Sequence, residues 1–231
     1  MNEKVYRFDR IGSTNDFAKS LRREGVRENA VILAKSQTGG RGTKGRSFCS
    51  DEGGVYLTRL TYYDHFPASE TFRVMADASV AVCKTLEAFG FAPVIKWPND
   101  IYVQNRKICG ILVENAVSGA YLSSSVVGIG LNVNNALPEE LNEIAISMRA
   151  AAEKTFDLDE VTDALVRFSG ERFNVSDYVE RVGYLDREVT LLFGDERVPA
   201  RTLFVNERGE LVVEINGEKR TVRAAEVSLR L

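Results

Sequence analysis

The stretch Gln37-Thr38-Gly39-Gly40-Arg41-Gly42-Thr43-Lys44-Gly45-Arg46 packs glycines and cationic side chains into one loop-like segment. Glycine lets backbone N–H groups approach an anion closely and form a concave nest. Arg41, Lys44 and Arg46 add charge-assisted donors. Phosphate binding is the chemistry such a segment suits, and a surface loop with solvated charges is the competing reading. Gly40-x-Gly42-x-x-Gly45 matches the spacing of the dinucleotide fingerprint, but that fingerprint needs a helix to start in the glycine turn. Here the chain continues through Ser47-Phe48-Cys49-Ser50 to Gly53-Gly54 and then into a strand pattern. The Walker A pattern also fails, because no Gly-Lys-Ser/Thr occurs in the loop, and His-Arg-Asp and Asp-Phe-Gly are absent.

Three further constellations follow. Lys96-Trp97-Pro98-Asn99-Asp100-Ile101 holds a proline that biases its predecessor to extended backbone and starts a turn; alone it reads as an ordinary hairpin turn. Lys107-Ile108-Cys109-Gly110-Ile111-Leu112-Val113-Glu114 opens an apolar strand with a lysine, either an edge gatekeeper or a cation aimed into a cleft. Gly128-Ile129-Gly130-Leu131-Asn132-Val133-Asn134 puts glycines inside a strand, a sign of close approach to the backbone. The one histidine, His65, lies in Tyr-Tyr-Asp-His-Phe-Pro, a strand-to-helix loop, and is read as a surface residue rather than a catalytic base. Cys49, Cys83 and Cys109 form no Cys-x-x-Cys pair and no disulfide framework, which fits a reducing cytoplasm.

The elements that must position these residues follow from periodicity. A short strand at 5–8 leads to Ser13-Thr14-Asn15-Asp16, where Ser13 and Asp16 have capping-box spacing and open a helix carrying Phe17, Ala18 and Leu21. The continuous apolar run 30–34 reads as a strand buried on both faces. It feeds the glycine-rich loop 36–54, and 55–63 alternates as a strand. Phe72, Met75, Ala76, Ser79, Val80, Cys83, Leu86 and Phe89 recur at helical spacing before Gly90. Strands are expected at 94–97, 101–103, 107–115 and 121–133, and helices at 139–152 and 158–173. From 188 onward five short strands (188–193, 198–205, 211–215, 220–223, 227–231) alternate with turn residues, including Asn216-Gly217, the strongest short hairpin signal. The pattern is α+β: a mixed or antiparallel sheet with helices over 1–183, then a small SH3-like β-barrel over 184–231.

The 231 residues carry 30 Lys+Arg against 33 Asp+Glu, a net charge of −3, with 44% hydrophobic residues. That balance supports a core and argues against a dedicated nucleic-acid binder, which is usually basic overall. No cationic-then-apolar leader is visible at the start, and no run reaches the ~18 apolar residues of a membrane helix.

Taken in order, these motifs resemble the biotin protein ligase family, whose members attach biotin to a lysine of a carboxylase carrier domain. The resemblance rests on Ser13-Thr14-Asn15, Gln37, the Gly-Arg-Gly-x-x-Gly-Arg loop, Lys96-Trp97-Pro98-Asn99-Asp100, Lys107-x-x-Gly110-Ile111-Leu112, Gly128-x-Gly130-x-Asn132 and the β-rich tail. It implies the catalytic domain shared by biotin and lipoate ligases, related to class II synthetases, and the ligase form without an N-terminal DNA-binding domain, since Ser13 leaves no room for a winged helix. It implies that Ser13, Thr14, Asn15 and Gln37 bind biotin's ureido ring and that Arg41, Gly42, Thr43, Gly110, Gly128 and Gly130 complete the biotin site. Gly40, Arg41, Lys44, Gly45, Arg46, Phe48 and Asn132 would hold ATP and the adenylate. Lys107, Arg41 and Asp100 would be catalytic, Lys107 reaching the biotin carboxylate and Asp100 serving the incoming lysine or the nucleotide side.

The reaction so implied joins biotin to ATP as biotinyl-5′-AMP and then forms an amide with the carrier lysine. Mg²⁺ would be carried by the ATP phosphates with no direct protein ligand. The partner would be a biotin carboxyl carrier protein, with neither DNA nor membrane, in the cytoplasm; a homodimer is compatible with the sequence. Two rivals stand beside this reading: a lipoate- or octanoate-type acyl-adenylate ligase, and a non-catalytic effector or nucleic-acid-binding module. One departure stands out. Family members usually carry arginine where this chain has Thr43, and commonly Trp where it has Phe48.

Overall fold

The computed structural model describes residues 3–194, 196–223 and 228–230; the side chains of Lys44 and of 228–230 lie outside the described set. A seven-stranded sheet runs in the order β1-β2-β3-β7-β6-β5-β4. Its strands are β1 (Lys4–Ile11), β2 (Ala30–Gln37), β3 (Val55–Pro67), β4 (Val94–Lys96), β5 (Asp100–Val103), β6 (Arg106–Ser118) and β7 (Tyr121–Leu131). Only β1 and β2 pair in parallel; the other neighbours are antiparallel. The helices are α1 (Thr14–Arg23), α2 (Phe72–Ala88), α3 (Met148–Ala152), α4 (Leu158–Ser169) and α5 (Val175–Val179).

The apolar run at the start of β2 is buried on both faces, as its composition requires. Ala30 and Ile32 pack with Ala18 and Leu21 of α1, Leu60 and Val126. Val31 and Leu33 face the larger core, with Leu57, Val80 and Leu86. Side chains of a strand alternate between faces, so α1 covers one face of the sheet while α2 and α4 cover the other. Residues 58, 110, 128 and 130 all fall on the α1 face, a register that assembles the site described below.

The helix expected over 139–152 is a correction. Only a 3₁₀ turn at Glu139–Leu141 and the short α3 form there. Between them a turn over 142–144 leads to a short bridge at Ala145 beside the start of β6: the Lys107 N–H donates to the Ile144 carbonyl at 2.9 Å and Ile146 N–H returns the bond to the Lys107 carbonyl at 2.9 Å. Tertiary pairing has overridden helical propensity. His65 lies within β3 rather than in a loop, exposed and edge-on to Tyr121.

The C-terminal strands β8 (Glu188–Phe193), β9 (Glu196–Val205), β10 (Leu211–Ile215), β11 (Glu218–Val222) and β12 (Ser228–Arg230) make an antiparallel sheet in the order β11-β10-β9-β8-β12. Residues 227 and 231 of the last expected strand lie outside the described residues. The turn joining β9 to β10 docks against Phe72 and Trp97. Trp97 donates its indole N–H to the Gly209 carbonyl at 2.9 Å, and Gly209, at φ +76°, sits so close to the Phe72 ring that any Cβ there would overlap it. Gly209→Ala is therefore expected to destabilise the protein by about 2–4 kcal/mol, from left-handed backbone strain plus overlap. At this chain length that lowers the thermal midpoint by roughly 5–15 °C. A calorimetric shift below about 2 °C would mean that the turn repacks freely.

Candidate active site

One cleft of about 120 Å³ opens on the α1 face, lined by residues from five separated stretches of sequence. Its floor is the β6–β7 pair, where Gly110 lies directly opposite Gly130 and Leu112 opposite Gly128. The absent side chains clear the floor. A Cβ at Gly128 would overlap the Asn15 carboxamide, and one at Gly130 would run into the Phe48 ring. The Phe48 ring, delivered by the 38–49 loop, covers the floor from above.

The polar end of the cleft is built where α1 begins. Ser13 caps the helix, accepting from the Asp16 N–H, so Ser13, Thr14 and Asn15 sit at the mouth and are all buried. Thr14 donates both its backbone N–H (2.9 Å) and its hydroxyl (3.0 Å) to Gln37 Oε1. Thr58 Oγ1 lies 2.8 Å from Thr14 Oγ1 and 2.7 Å from Asn15 Oδ1, and the Asn15 amide donates to Glu114 at 2.9 Å. Asn15 is thus pinned at both ends of its carboxamide. A chain of charges flanks it: Glu114 to Lys19 at 2.8 Å, Lys19 to Asp16 at 2.9 Å, and Asp16 to Arg41 Nε at 2.8 Å. Burial pushes the Asp16 carboxyl up, but hydrogen bonds from Lys19 and Arg41 outweigh it and hold the group below the usual carboxylate range. The capping-box spacing is real, yet the Asp16 carboxylate serves these cations.

The cationic end is built from β5 and β6. Asn99 donates to the Ile111 carbonyl at 2.7 Å and accepts from the Ile111 N–H at 3.1 Å through its own carbonyl. Tyr178 donates to the Pro98 carbonyl at 2.9 Å, anchoring the same turn. Asp100 then meets Lys107 Nζ at 2.6 Å. Lys107 is held by the 144–146 strap, and its ammonium lies by the Gly110 position, so of the two readings of this lysine the cleft reading applies. Arg46 donates from Nε to the Thr43 carbonyl at 3.2 Å and from Nη2 to the Thr43 hydroxyl at 2.9 Å. Arg41, Arg46 and Lys107 all line the one cleft.

Of the residues singled out by sequence, Ser13, Thr14, Asn15, Gln37, Arg41, Gly42, Thr43, Arg46, Phe48, Asp100, Lys107, Gly110, Gly128 and Gly130 line this cleft. Gly40 and Gly45 shape the loop without lining it, and the Lys44 side chain lies outside the described set. Asn132 is not brought to the cleft. It is buried, with its amide donating to the Ile146 carbonyl at 3.4 Å and its Oδ1 accepting from Asn135 at 3.1 Å, which braces the strap behind Lys107. Thr58, Glu114 and Ser50 escaped the sequence reading; only spatial pairing identifies them. Cys109, directly beneath the floor, is fully buried and its thiol is pushed up by that burial, so it offers no nucleophile.

Among the described residues no three His, Cys, Asp or Glu side chains converge on a point. Asp100, the one carboxylate among the described lining residues, has one oxygen paired with Lys107. The donor set does not fit a metal held by the protein. What it fits is a ligand with anionic groups facing Arg46 and Lys107, Arg41 being held at the α1 side by Asp16, and a neutral hydrogen-bonding head at the Thr14–Gln37 pair. The cleft falls short of the 300–1,000 Å³ usual for ligand pockets, and the Phe48 ring occupies part of the space above Gly110 and Gly130.

Comparison with known proteins agrees with the geometry. The model of the Biotin/lipoate A/B protein ligase family matches residues 7–132. The bifunctional ligase/repressor BirA of Bacillus subtilis is 30% identical over 99% of this chain and 75% of its own length. A biotin–acetyl-CoA-carboxylase ligase of Paracoccus denitrificans is 32% identical over 55% of this chain and 53% of its own. A solved structure of the biotin protein ligase from Aquifex aeolicus in complex with biotin and ATP superposes with a TM-score of 0.74 at 26% identity, covering 99% of both chains.

Proposed function

This chain belongs to the Biotin/lipoate A/B protein ligase family, and from that premise we propose that it is an ATP-dependent biotin protein ligase. It activates biotin to biotinyl-5′-AMP and transfers the biotinyl group to a lysine of a biotin carboxyl carrier domain. The observation that carries the reading is that Arg41, Arg46 and Lys107 line one cleft together with the part-buried Thr14–Gln37 hydrogen-bond pair.

In the first step the biotin carboxylate oxygen attacks the α-phosphorus of ATP and pyrophosphate leaves. Two unit negative charges about 4 Å apart repel by about 4 kcal/mol at an effective dielectric of 20. The chain's own cations oppose that repulsion. Lys107 is placed for the carboxylate and the bridging oxygen, and Arg41 and Arg46 are placed for the phosphates, each held beforehand by a nearby oxygen acceptor that a phosphate can replace. Preorganised charge of this sort lowers the barrier because little reorganisation is left for the reaction itself. Mg²⁺ carried by the nucleotide phosphates would add charge neutralisation there.

The glycine floor lets the extended acyl chain of biotin lie flat on the β6–β7 backbone once the Phe48 ring has moved. Thr14, Gln37 and the pinned Asn15 face the ureido ring, with Ser13 at the mouth. In the second step the carrier lysine, as free amine, attacks the carbonyl carbon of the mixed anhydride and AMP leaves with the electron pair of the broken bond. Asp100, beside Lys107 at the cleft's edge, orients that amine. The loop, carrying Phe48, shields the water-labile anhydride between the two steps. We read residues 1–183 as the catalytic unit and 184–231 as a small SH3-like unit whose β9–β10 turn braces Trp97.

The test is direct. Incubated with biotin, ATP, Mg²⁺ and the carrier domain of a biotin-dependent carboxylase, the protein is expected to add one biotinyl group, seen as a mass increase of the carrier. Lipoate in place of biotin is expected to give none. Modification with lipoate alone would transfer the reading to the lipoyl branch of the family, and salt-sensitive DNA binding without modification would overturn the enzymatic reading.

A further inference from the structure

A line of hydrogen bonds runs from the start of α1 to the loop, with the single Thr58 hydroxyl proton shared between Thr14 Oγ1 and Asn15 Oδ1 at its origin. The Thr58 hydroxyl faces Thr14 Oγ1; the Thr14 hydroxyl donates to Gln37 Oε1. Gln37 Nε2 donates to Ser50 Oγ at 3.0 Å, and the Ser50 hydroxyl donates to the Phe48 carbonyl at 3.0 Å. Ser50 is 4% exposed. Its backbone carbonyl also accepts the Gln37 N–H at 2.9 Å, so Gln37 and Ser50 form the neck of the loop. Beyond the neck the loop is a narrow hairpin: Phe48 N–H bonds the Gly40 carbonyl at 2.9 Å and Gly42 N–H the Arg46 carbonyl at 2.7 Å.

We propose that Ser50 is a positioning residue that ties the orientation of the Gln37 carboxamide to the placement of the Phe48-bearing loop. The argument is one of donor counting. Gln37 Oε1 already accepts twice from Thr14, and the amide nitrogen has one of its two hydrogens engaged by Ser50. A terminal carboxamide has a broad torsion; the Thr14 N–H, which can only donate, sets its oxygen end, and Ser50 supplies the second anchor by accepting from the nitrogen end. Ser50 thereby limits the swing of the carboxamide about its Thr14-bound oxygen. The same hydroxyl holds the Phe48 carbonyl, and the Phe48 ring covers Gly110 and Gly130. A ligand that engages Gln37 and displaces the ring must act on both ends of one hydroxyl. Occupation of the polar end is thus communicated to the loop through a single side chain. The inference takes the identity of the ligand, a cyclic urea with an acyl chain, from the biotin ligase reading; the linkage between Gln37 and the loop stands without it.

The test uses Ser50→Ala in the full chain. In the absence of ligand, tryptic cleavage within 41–46 is expected to quicken about tenfold, the equivalent of one lost hydrogen bond, while cleavage elsewhere and the thermal midpoint stay close to wild type. In biotin-dependent ATP–pyrophosphate exchange, KM for biotin is expected to rise about five- to tenfold, with KM for ATP and kcat within about threefold. Unchanged loop cleavage together with an unchanged biotin KM would overturn the proposal. So would a parallel loss of kcat and midpoint without a biotin KM effect, which marks general destabilisation. If the loop cleavage quickens but neither wild type nor variant responds to biotin, the coupling stands and the biotin reading falls.

Discussion

Lys107→Met is expected to lower biotin-dependent ATP–pyrophosphate exchange by about 10²–10³-fold, the loss typical of removing one preorganised charge donor. The estimate has a second route. Removing an ammonium that offsets repulsion of about 4 kcal/mol at an effective dielectric of 20 corresponds to roughly three decades in rate. Methionine keeps the length of the side chain, so packing by the Gly110 position is preserved while the charge goes. The substitution also leaves Asp100 without its 2.6 Å partner and adds a negative charge facing the phosphates, which acts in the same direction. Because Lys107 is held through its backbone by Ile144 and Ile146, the fold does not depend on its ammonium. The thermal midpoint should therefore stay near wild type. A loss of exchange smaller than tenfold would remove Lys107 from the chemistry.

Thr43→Arg is expected to slow escape of biotinyl-5′-AMP into solution by roughly ten- to a hundredfold, the worth of one charge-assisted hydrogen bond of about 1.5–3 kcal/mol. The structure adds a reason beyond the extra cation. In the native loop the Thr43 hydroxyl accepts from Arg46 Nη2 at 2.9 Å, so Thr43 competes with the nucleotide for the Arg46 fork. Arginine at this position takes away that acceptor and supplies a second guanidinium. Quench-flow separation of free and bound adenylate without carrier reads the effect, and unchanged release would show that position 43 does not govern retention. By the same logic the native protein is expected to biotinylate bystander lysines more readily than the Thr43→Arg variant.

Most of the sheet was legible from residue pattern. The doubly buried β2, the helical spacing of α2 and the turn-punctuated C-terminal strands were all readable because each is dictated by local periodicity. Gly110, Gly128, Gly130 and Lys107 were legible as glycine and lysine in apolar strands, positions where side-chain economy or charge conflicts with simple packing, whereas Ser13, Thr14, Asn15, Gln37 and Asp100 were picked out only by the family resemblance. What the sequence hid is non-local. The 139–152 segment has helix-forming residues, yet it forfeits a helix to pair with Lys107, and nothing within the segment signals that partner. Glycines at 128 and 130 advertised a close approach, but not that Asn15 and Phe48 make it. Thr58, Ser50 and Glu114 are ordinary residues for their strands and loops. They matter because Thr14, Asn15 and Gln37, far away in sequence, come to rest against them.

The docking of the β9–β10 turn reaches further than the stability of that turn. Val189, Leu191, Ala200, Val205, Leu211 and Val213 share one continuous apolar interior with Trp97, Ile101 and Leu86. A shortened fragment stopping near residue 183 would therefore carry a raw greasy flank around Phe72 and Trp97, next to the segment that presents Asn99 and Asp100. Trimming the tail to obtain a smaller biotinylating reagent would yield clumping material with a slack reaction centre.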